Sequence, residues 1–274
     1  MSAALGNLSK LNCARLHDIY IMSAALGNLS KLNCARLHDI SVLCTCLLVY
    51  LFTKKRWITK NYELFQPTNS FKQLLISEIF YSLQGEGFFT GTPAVFVRFS
   101  GCNLRCPFCD TNHKAFVRMS EEEIVEAVCR FPARHVVLTG GEPSLQVTPR
   151  LVDLLHMANR FVAMETNGTC PVDSLSLDWV TLSPKHYFLG KIAAPAVLRP
   201  NELKLVFSPE AFAAAHTDPE VIAATFQTTH LFLQPCDTGD ETKNRLLLQQ
   251  AVEYCKSHPH WRLSLQTHKY IGIE

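Results

Sequence analysis

The chain has 274 residues, of which 47% are hydrophobic, and its formal net charge at pH 7 is +2. This length suits one domain of about 200 residues with an extension, and the hydrophobic fraction supplies a substantial core. The nearly balanced charge shows neither the basic footprint of a nucleic-acid-binding protein nor an acidic tail. The 11 cysteines would indicate disulfides in a small secreted domain. Three of them fall within eight residues, however, which indicates a metal centre in the reducing cytoplasm.

Residues 1–73 do not look like part of an enzyme. Residues 1–19 are repeated without a change at 22–40, which is most simply a cloning or start-site artefact, because structural repeats diverge. Residues 41–52 are apolar but too few to span a bilayer, which needs about 20 residues. A basic cluster follows these apolar residues, whereas in a signal peptide the basic residues come before the apolar segment. A signal anchor or interfacial helix stays open as an alternative. We expect 1–73 to be an irregular extension and 74–274 to be the catalytic domain.

The first predicted strands carry polar residues at their ends. Residues 74–81 (LLISEIFY) are β-prone, and the turn SLQGEG follows at 82–87. Residues 94–99 (AVFVRF) form a second predicted strand, which contains Arg98. A buried arginine needs an anionic partner. That partner is either an anionic ligand or, as the structural alternative, a carboxylate of the protein such as Glu86.

The loop after this strand reads GCNLRCPFCDT and holds Cys102, Cys106 and Cys109 in the spacing C-x3-C-x2-C. Thiolates are soft ligands for iron–sulfur clusters, zinc or copper(I). A structural zinc site closes with four protein ligands, whereas three cysteines leave one iron of a [4Fe-4S] cluster open. Unrelated thiols or zinc stay possible from the spacing alone. The spacing resembles the signature of the radical S-adenosylmethionine (SAM) superfamily, in which SAM binds the open iron. The scattered Cys129, Cys170, Cys236 and Cys255 are predicted to be small buried hydrophobes.

A more specific resemblance joins three segments. The sequence SLQGEG, then F-x-G-x-P-A-x-F-x-R, then GCNLRCPFCDT is similar to 7-carboxy-7-deazaguanine synthases, radical SAM enzymes of queuosine and 7-deazapurine biosynthesis. The resemblance covers residues 74–274 and not 1–73. It implies a 6-carboxy-5,6,7,8-tetrahydropterin substrate, with Arg98 pairing its carboxylate and Glu86 accepting hydrogen bonds from its ring. It also implies Thr111 as a Mg²⁺ ligand. The substrate-binding residues that it implies are Leu83, Gln84, Gly85, Glu86, Arg98, Thr139 and His268, with Glu86 and Arg98 catalytic.

The middle of the chain alternates helices with strands. Ser120 and Glu123 form a predicted capping box before a helix, and Thr148-Pro149 begins another helix. Strands are predicted at 135–138, 161–164 and 179–182. The first leads into TGGEP, where glycines allow close backbone approach to a ligand, and the third leads into SPK. A plain turn is the alternative at both places.

The last third continues the alternation. Strands are predicted at 202–207, 230–233 and 262–265, with Ala-rich helices before 227 and a helix at 241–257. The second strand opens into QPCD. The family resemblance assigns the GGE, SPK and QPCD segments to SAM, that is, Gly140, Gly141, Glu142, Ser183, Pro184, Lys185, Gln234, Pro235, Cys236 and Asp237.

These patterns predict an α/β fold, an open partial β/α barrel of about six parallel strands, with ligands at the carboxyl ends of the strands. The implied cofactors are a [4Fe-4S] cluster, SAM and Mg²⁺. The resemblance further implies a homodimer. The predicted partners are the pterin substrate and an electron donor such as flavodoxin or ferredoxin. The charge balance predicts no nucleic-acid partner, the cysteine pattern predicts a cytoplasmic protein, and the short apolar stretch does not favour membrane association. Two rivals stay open: another radical SAM enzyme, such as a glycyl-radical-enzyme activase, and a non-catalytic zinc protein.

Overall fold

The computed structural model describes residues 73–109, 115–190 and 195–273. The duplicated segment, the apolar stretch at 41–52 and Thr111 lie outside the described residues. Within the described residues, no helix has both the length and the apolar character needed to cross a bilayer.

Strands and helices alternate along the described chain, as the pattern predicted. The strands are β1 (Leu74–Leu83), β2 (Pro93–Phe99), β3 (Val117–Met119), β4 (His135–Gly140), β5 (Phe161–Thr166), β6 (Trp179–Leu182), β7 (Glu202–Phe207), β8 (His230–Pro235) and β9 (Trp261–Leu263). The helices are α1 (Glu121–Cys129), α2 (Pro149–Met157), α3 (His186–Leu189), α4 (Pro209–Ala214), α5 (Pro219–Ala223), α6 (Glu241–Ser257) and α7 (Thr267–Ile271). Short 3₁₀ turns span Pro143–Leu145 and Asp173–Leu175.

The described strands form one open sheet in the order β3-β1-β2-β4-β5-β6-β7-β8-β9. β2 and β4 to β9 run parallel, while β1 and β3 pair antiparallel at one edge. The sheet therefore has seven parallel strands where about six were predicted, and the predicted open barrel is confirmed. Several strands extend one or two residues beyond the predicted bounds.

The helix starts follow the predicted capping chemistry. The hydroxyl of Ser120 accepts from the N–H of Glu123, and the Glu123 carboxylate accepts from the Ser120 N–H at 2.7 Å, which completes the capping box of α1. Thr148 caps α2 through the N–H of Leu151 at 3.1 Å. Each cap satisfies amide groups that a helix start leaves without partners, so both helices begin where the sequence predicted.

Side chains alternate between two environments along the parallel strands. On β7, Leu203, Leu205 and Phe207 join the hydrophobic core beneath the helices, while Glu202 and Lys204 point to the other face. The same period of two separates the two faces of β2, β4 and β5. The concave face of the sheet therefore collects the polar side chains of neighbouring strands.

Aromatic rings fill the amino end of this concave face. Phe88 and Phe89, from the loop after β1, contact Trp179 at centroid distances of 4.9 and 4.8 Å. Phe89 also contacts the rings of His135 and Phe161. His135, Phe161 and Trp179 are the first residues of their strands, so the rings close this end and leave the carboxyl end for ligands.

The expectation that the scattered cysteines are buried is correct only for Cys236. Cys129 is exposed, and Cys170 and Cys255 are half-buried. Cys129 is the last residue of α1, where a side chain on the solvent side is not covered by the sheet.

Candidate active site

A cavity of about 690 Å³ opens at the carboxyl ends of the parallel strands, within the range of roughly 300–1,000 Å³ of typical ligand sites. Cys102, Cys106 and Cys109 line one side, which we call the cysteine wall. The opposite side is formed by polar side chains from the β1–β2 loop, β5, β7 and the segment before α7. This polar wall consists of Gln84, Glu86, Glu165, Lys204 and Gln266.

Two glycines at the end of β4 hold the cysteine loop in place. The N–H groups of Gly141 and Glu142 donate to the carbonyl oxygens of Phe99 and Gly101 at 2.8 and 2.9 Å. A Cβ on Gly141 would lie 2.0 Å from the Gly101 oxygen, so a larger residue would push the loop away. The glycines were predicted to let amides approach a ligand. In the structure the Gly141 amide instead binds the end of β2, and the Glu142 amide binds Gly101 of the cysteine loop.

The carboxylate of Glu142 ties the end of β4 to the end of β5. It is 1% exposed. Its oxygens accept from the Thr166 hydroxyl at 2.6 Å, from the Asn167 N–H at 2.7 Å, and from the hydroxyl and N–H of Ser144 at 2.6 and 3.1 Å. This carboxylate therefore organises the loops around the cavity with all of its capacity used inside the protein.

Two N–H groups converge on the thiol of Cys102. The Leu104 N–H and the Asn167 side-chain amide donate to its sulfur at 3.4 and 3.9 Å. Burial raises the pKa of the Cys102 and Cys106 thiols, so forming both thiolates calls for a cation beside them. Hydrogen bonds to sulfur of this kind are typical of cluster-ligating cysteines.

On the polar wall, Glu86 and Lys204 form a buried ion pair. The ammonium of Lys204, which is 5% exposed, contacts Oε2 of Glu86 and lies 4.0 Å from Oε1 of Glu165. The side-chain amide of Gln266 donates to Oε1 of Glu86 at 2.9 Å. Two elements far apart in sequence thus fix both oxygens of one carboxylate.

The charges of this pair follow from its surroundings. Burial by itself would raise the pKa of Glu86, but Lys204 and Gln266 outweigh it and lower that pKa to about 2. Burial would likewise lower the pKa of Lys204, but the carboxylates of Glu165, Glu86 and Glu202 raise it above its ordinary value. Both groups are therefore charged at neutral pH.

The carboxylate of Glu165 lies beside the pair and is oriented from two sides. The Gln84 side-chain amide donates to its Oε1 at 3.0 Å, and the Thr139 hydroxyl donates to its Oε2 at 3.3 Å. The Gln84 side-chain oxygen in turn accepts from the N–H of Glu86 at 3.1 Å. The polar wall is thus one continuous hydrogen-bonded network.

Arg98 does not pair with Glu86, so the alternative of a salt bridge between these two residues is wrong. Its Nε donates to Oε1 of Glu78 at 2.6 Å, because the antiparallel register of β1 and β2 puts Glu78 opposite Arg98. Glu86 lies beyond the end of β1, where Lys204 reaches it. The Arg98 guanidinium lies over the Phe80 ring at 5.6 Å. In the described part of the chain, no protein group forms a hydrogen bond with its two terminal nitrogens, and Arg98 lines the cavity.

The C-terminal segment packs on the β1–β2 loop. The N–H and the hydroxyl of Thr267 both donate to the Gly85 carbonyl oxygen, at 3.0 and 2.9 Å. A Cβ on Gly85 would lie 2.1 Å from Nδ1 of His268, so only glycine leaves room for that ring. His268 is thereby held at the cavity.

Known proteins match this chain in sequence. The family model described as the radical SAM superfamily matches residues 96–187. The 7-carboxy-7-deazaguanine synthase of Bacteroides thetaiotaomicron is 47% identical over 199 residues, covering 72% of this chain and 97% of that protein.

The chain belongs to the 7-carboxy-7-deazaguanine synthase family of radical SAM enzymes. The synthase of Bordetella pertussis is 43% identical, with 72% of this chain and 98% of that protein covered. A crystal structure of QueE from Escherichia coli is 31% identical, covers 71% of this chain and 96% of that chain, and gives a TM-score of 0.58. Membership in this family favours the synthase interpretation over the activase and zinc alternatives.

The cysteine wall fits the [4Fe-4S] cluster that the radical SAM family implies. The three cysteines are not in disulfides, and all three line the cavity. Among the described residues, no three His, Cys, Asp or Glu side chains are grouped to hold a single metal ion. A cubane cluster does not require that convergence, because each cysteine binds a different iron.

The structure brings most of the residues predicted for a synthase of this family to one cavity. All of the predicted substrate-binding residues line it. Of the residues predicted to bind SAM, Pro184 and Cys236 do not line it, and Cys236 packs with Val206 and Leu247 instead. The SAM-side residues that line the cavity are Gly140, Gly141, Glu142, Ser183, Lys185, Gln234, Pro235 and Asp237.

Two charged SAM-side residues are held by neighbours. The ammonium of Lys185 donates to the Ser183 carbonyl oxygen at 2.7 Å and also contacts the Ser183 hydroxyl, and burial lowers its pKa to about 8. Asp237 is paired with Lys269 at 2.7 Å, which lowers the Asp237 pKa to about 2.

Sequence reasoning missed Lys204, Glu165 and Gln266 as site residues. A signal for the first was present, because ELKLVF places two charged residues on one face of an otherwise apolar central strand. Glu165 is likewise a charged residue in an otherwise mainly apolar strand, next to the last residue of β5. Gln266 carried no local signal, since its role depends on where the C-terminal segment packs.

Proposed function

We propose that this enzyme contracts the ring of 6-carboxy-5,6,7,8-tetrahydropterin to give 7-carboxy-7-deazaguanine, with loss of ammonia and dependence on Mg²⁺, in queuosine or 7-deazapurine biosynthesis. The observation that carries the proposal is that one cavity is lined both by the cysteine wall and by the oriented, hydrogen-bonded carboxylates of the polar wall. The names of the relatives support the same product.

The cysteine wall would hold the cofactors. Cys102, Cys106 and Cys109 are the cluster ligands, and Lys185 and Ser183 lie where they could contact SAM. When bound, the cluster and SAM supply the 5′-deoxyadenosyl radical that removes a hydrogen from C6 of the pterin. Thr111 is proposed as the Mg²⁺ ligand, on the family resemblance alone.

The polar wall would bind the substrate. Ionised Glu86 and Glu165 offer acceptors for the amino and ring N–H groups of the pterin, and Gln84 holds Glu165 in place. The terminal nitrogens of Arg98 would take the substrate carboxylate in a two-pronged pairing, while Glu78 keeps the guanidinium in place through Nε. His268 and α7 would cover the bound pterin and exclude water from the reacting atoms.

The test is anaerobic reconstitution with iron and sulfide, then incubation with SAM, reductant, Mg²⁺ and 6-carboxytetrahydropterin, with products identified by mass spectrometry. We expect 7-carboxy-7-deazaguanine and 5′-deoxyadenosine together. 5′-Deoxyadenosine without that product would refute the substrate and keep the radical chemistry.

The Mg²⁺ requirement is tested by omitting the ion and by comparing Thr111→Ala with the wild-type enzyme. We expect turnover to fall in both cases while 5′-deoxyadenosine still forms. Equal turnover with and without Mg²⁺ would remove Thr111 from the site. Electron transfer from flavodoxin or ferredoxin, and a homodimeric state, are further parts of the proposal that the same preparation can address by reductant exchange and light scattering.

A further inference from the structure

The ammonium of Lys204 lies between two carboxylates that face the cavity. It contacts Glu86 directly and approaches Glu165 at 4.0 Å. β7 pairs on both sides, with β6 and with β8, so its backbone leaves the lysine little freedom to move. The side chain is 5% exposed and lines the cavity, so it is neither a surface lysine nor a remote core residue.

We propose that Lys204 is a positioning residue for substrate recognition: it holds Glu86 and Glu165 as a matched pair of ionised acceptors for the N–H edge of the pterin. This inference rests on the proposed function, since it explains how that site selects its substrate class. Lys204 acts through the two carboxylates rather than on the reacting atoms.

The need for a buried cation follows from the chemistry of the two partners. A carboxylate removed from water takes up a proton unless an opposite charge is beside it. A protonated carboxyl has one oxygen occupied by its own proton, so it offers fewer acceptors to adjacent N–H donors. Two ionised carboxylates also repel each other, and the lysine between Glu86 and Glu165 offsets that repulsion.

Other charged groups face the pair from every neighbouring element. Glu202 lies two residues before Lys204 on β7, and Glu165 comes from β5. Lys185 approaches from the end of β6, and His268 faces Glu86 from α7. Without Lys204, three carboxylates would face Lys185 and His268, and the balance would move toward protonation of Glu86.

The experiment measures binding without turnover. Reconstituted enzyme with SAM and no reductant is titrated with pterin-6-carboxylate, an oxidised probe that carries the same N–H edge, between about pH 5.5 and about pH 7.5. The wild-type enzyme keeps Glu86 ionised across this window, because the Glu86 pKa is about 2. For Lys204→Met we expect Kd to rise at least about tenfold, and to rise further as the pH falls through the raised Glu86 pKa.

Comparing each variant with the wild-type enzyme at every pH cancels any pH dependence that the two proteins share. Lys204→Arg keeps the charge, so we expect it to remove the pH dependence even if its affinity is lower. Lys256→Met, which breaks an exposed pair with Glu253, is the matched control and should leave Kd unchanged.

A double-mutant cycle tests whether Lys204 acts through Glu86. In a Glu86→Gln background, the effect of Lys204→Met on Kd should be smaller than in the wild-type background, because only the contribution through Glu165 remains. This neutral pair also provides a measurement if the single variant does not fold. Equal pH profiles for Lys204→Met and the wild-type enzyme, or a full effect of Lys204→Met in the Glu86→Gln background, would overturn the inference. Absence of probe binding to the wild-type enzyme would overturn the proposed function together with it.

Discussion

The two walls of the cavity differ in how far their side chains are hydrogen-bonded within the protein. In the polar wall, Gln84 and Lys204 are buried and the other three residues are half-buried. Hydrogen bonds within the protein join Gln84 to Glu165, and Gln266 and Lys204 to Glu86. The cysteine wall is half-buried to exposed, and two amides converge on Cys102. The fold thus prepares the substrate side by itself, whereas the cofactor side presents thiols for a cluster.

This difference has a physical reason. Carboxylates and an ammonium removed from water are stable only when they are paired and hydrogen-bonded within the protein, so a polar wall must be fully satisfied in the folded chain. Thiols cost little to leave without partners, and the cluster supplies their strongest interactions. Mutations in the cysteine wall should therefore impair cluster incorporation, whereas mutations in the polar wall should impair substrate binding and stability.

The largest effect is expected from Cys106→Ala. Loss of one of three cluster ligands should abolish iron and sulfide incorporation and all turnover. The thermal unfolding of the unreconstituted protein should change little, because Cys106 is only half-buried. Iron analysis, sulfide analysis and calorimetry measure this. Cys129→Ala, at an exposed cysteine on α1, is the control and should retain both metal and activity. Full activity of Cys106→Ala would refute the cluster assignment.

On the polar wall, Glu86→Gln should damage both binding and stability. The change removes one charge of a buried pair, so we expect the free energy of unfolding to fall by about 1–3 kcal/mol and the KM for the pterin to rise at least about tenfold. Cleavage of SAM without the pterin should persist. Urea unfolding and steady-state kinetics measure the two effects. An unchanged KM would remove Glu86 from the substrate site.

Gly141→Ala tests the contact that holds the cysteine wall to β4. The added Cβ would meet the Gly101 oxygen at 2.0 Å, so the loop must move, at a cost of about 1–3 kcal/mol. We expect less iron per chain after reconstitution and an unchanged affinity for pterin. Gly91→Ala is the control: its φ of +85° makes alanine strained, but no heavy atom lies near the added Cβ. Normal iron content in Gly141→Ala would show that the loop adapts.

The smallest effect is expected from Lys269→Ala. This lysine pairs with Asp237 at 2.7 Å, but both side chains are more than a third exposed. Such pairs contribute at most about 1 kcal/mol, so the shift in urea midpoint should be small and should shrink further in high salt. A larger loss, or a loss of pterin binding, would show that α7 depends on this pair for its position over the cavity.

Most of the elements could be predicted from the sequence because their signals are local. The Ser120–Glu123 box and the Thr148-Pro149 start predicted α1 and α2, and the apolar strand patterns predicted the parallel sheet. The three cysteines and the SLQGEG segment predicted the site in the same way, because each is a short run of residues whose chemistry does not depend on distant partners.

The sequence by itself determined the fold class and the family. At the cavity it determined the three cysteines of one wall and Gln84 and Glu86 of the other. Only the tertiary structure decided that Arg98 pairs with Glu78, that Lys204 pairs with Glu86, and that Gln266 completes the polar wall. These contacts depend on strand register and on how the C-terminal segment packs, and both are set by interactions between residues far apart in the chain. A buried charge selects its partner by distance in space, and local sequence does not record that distance.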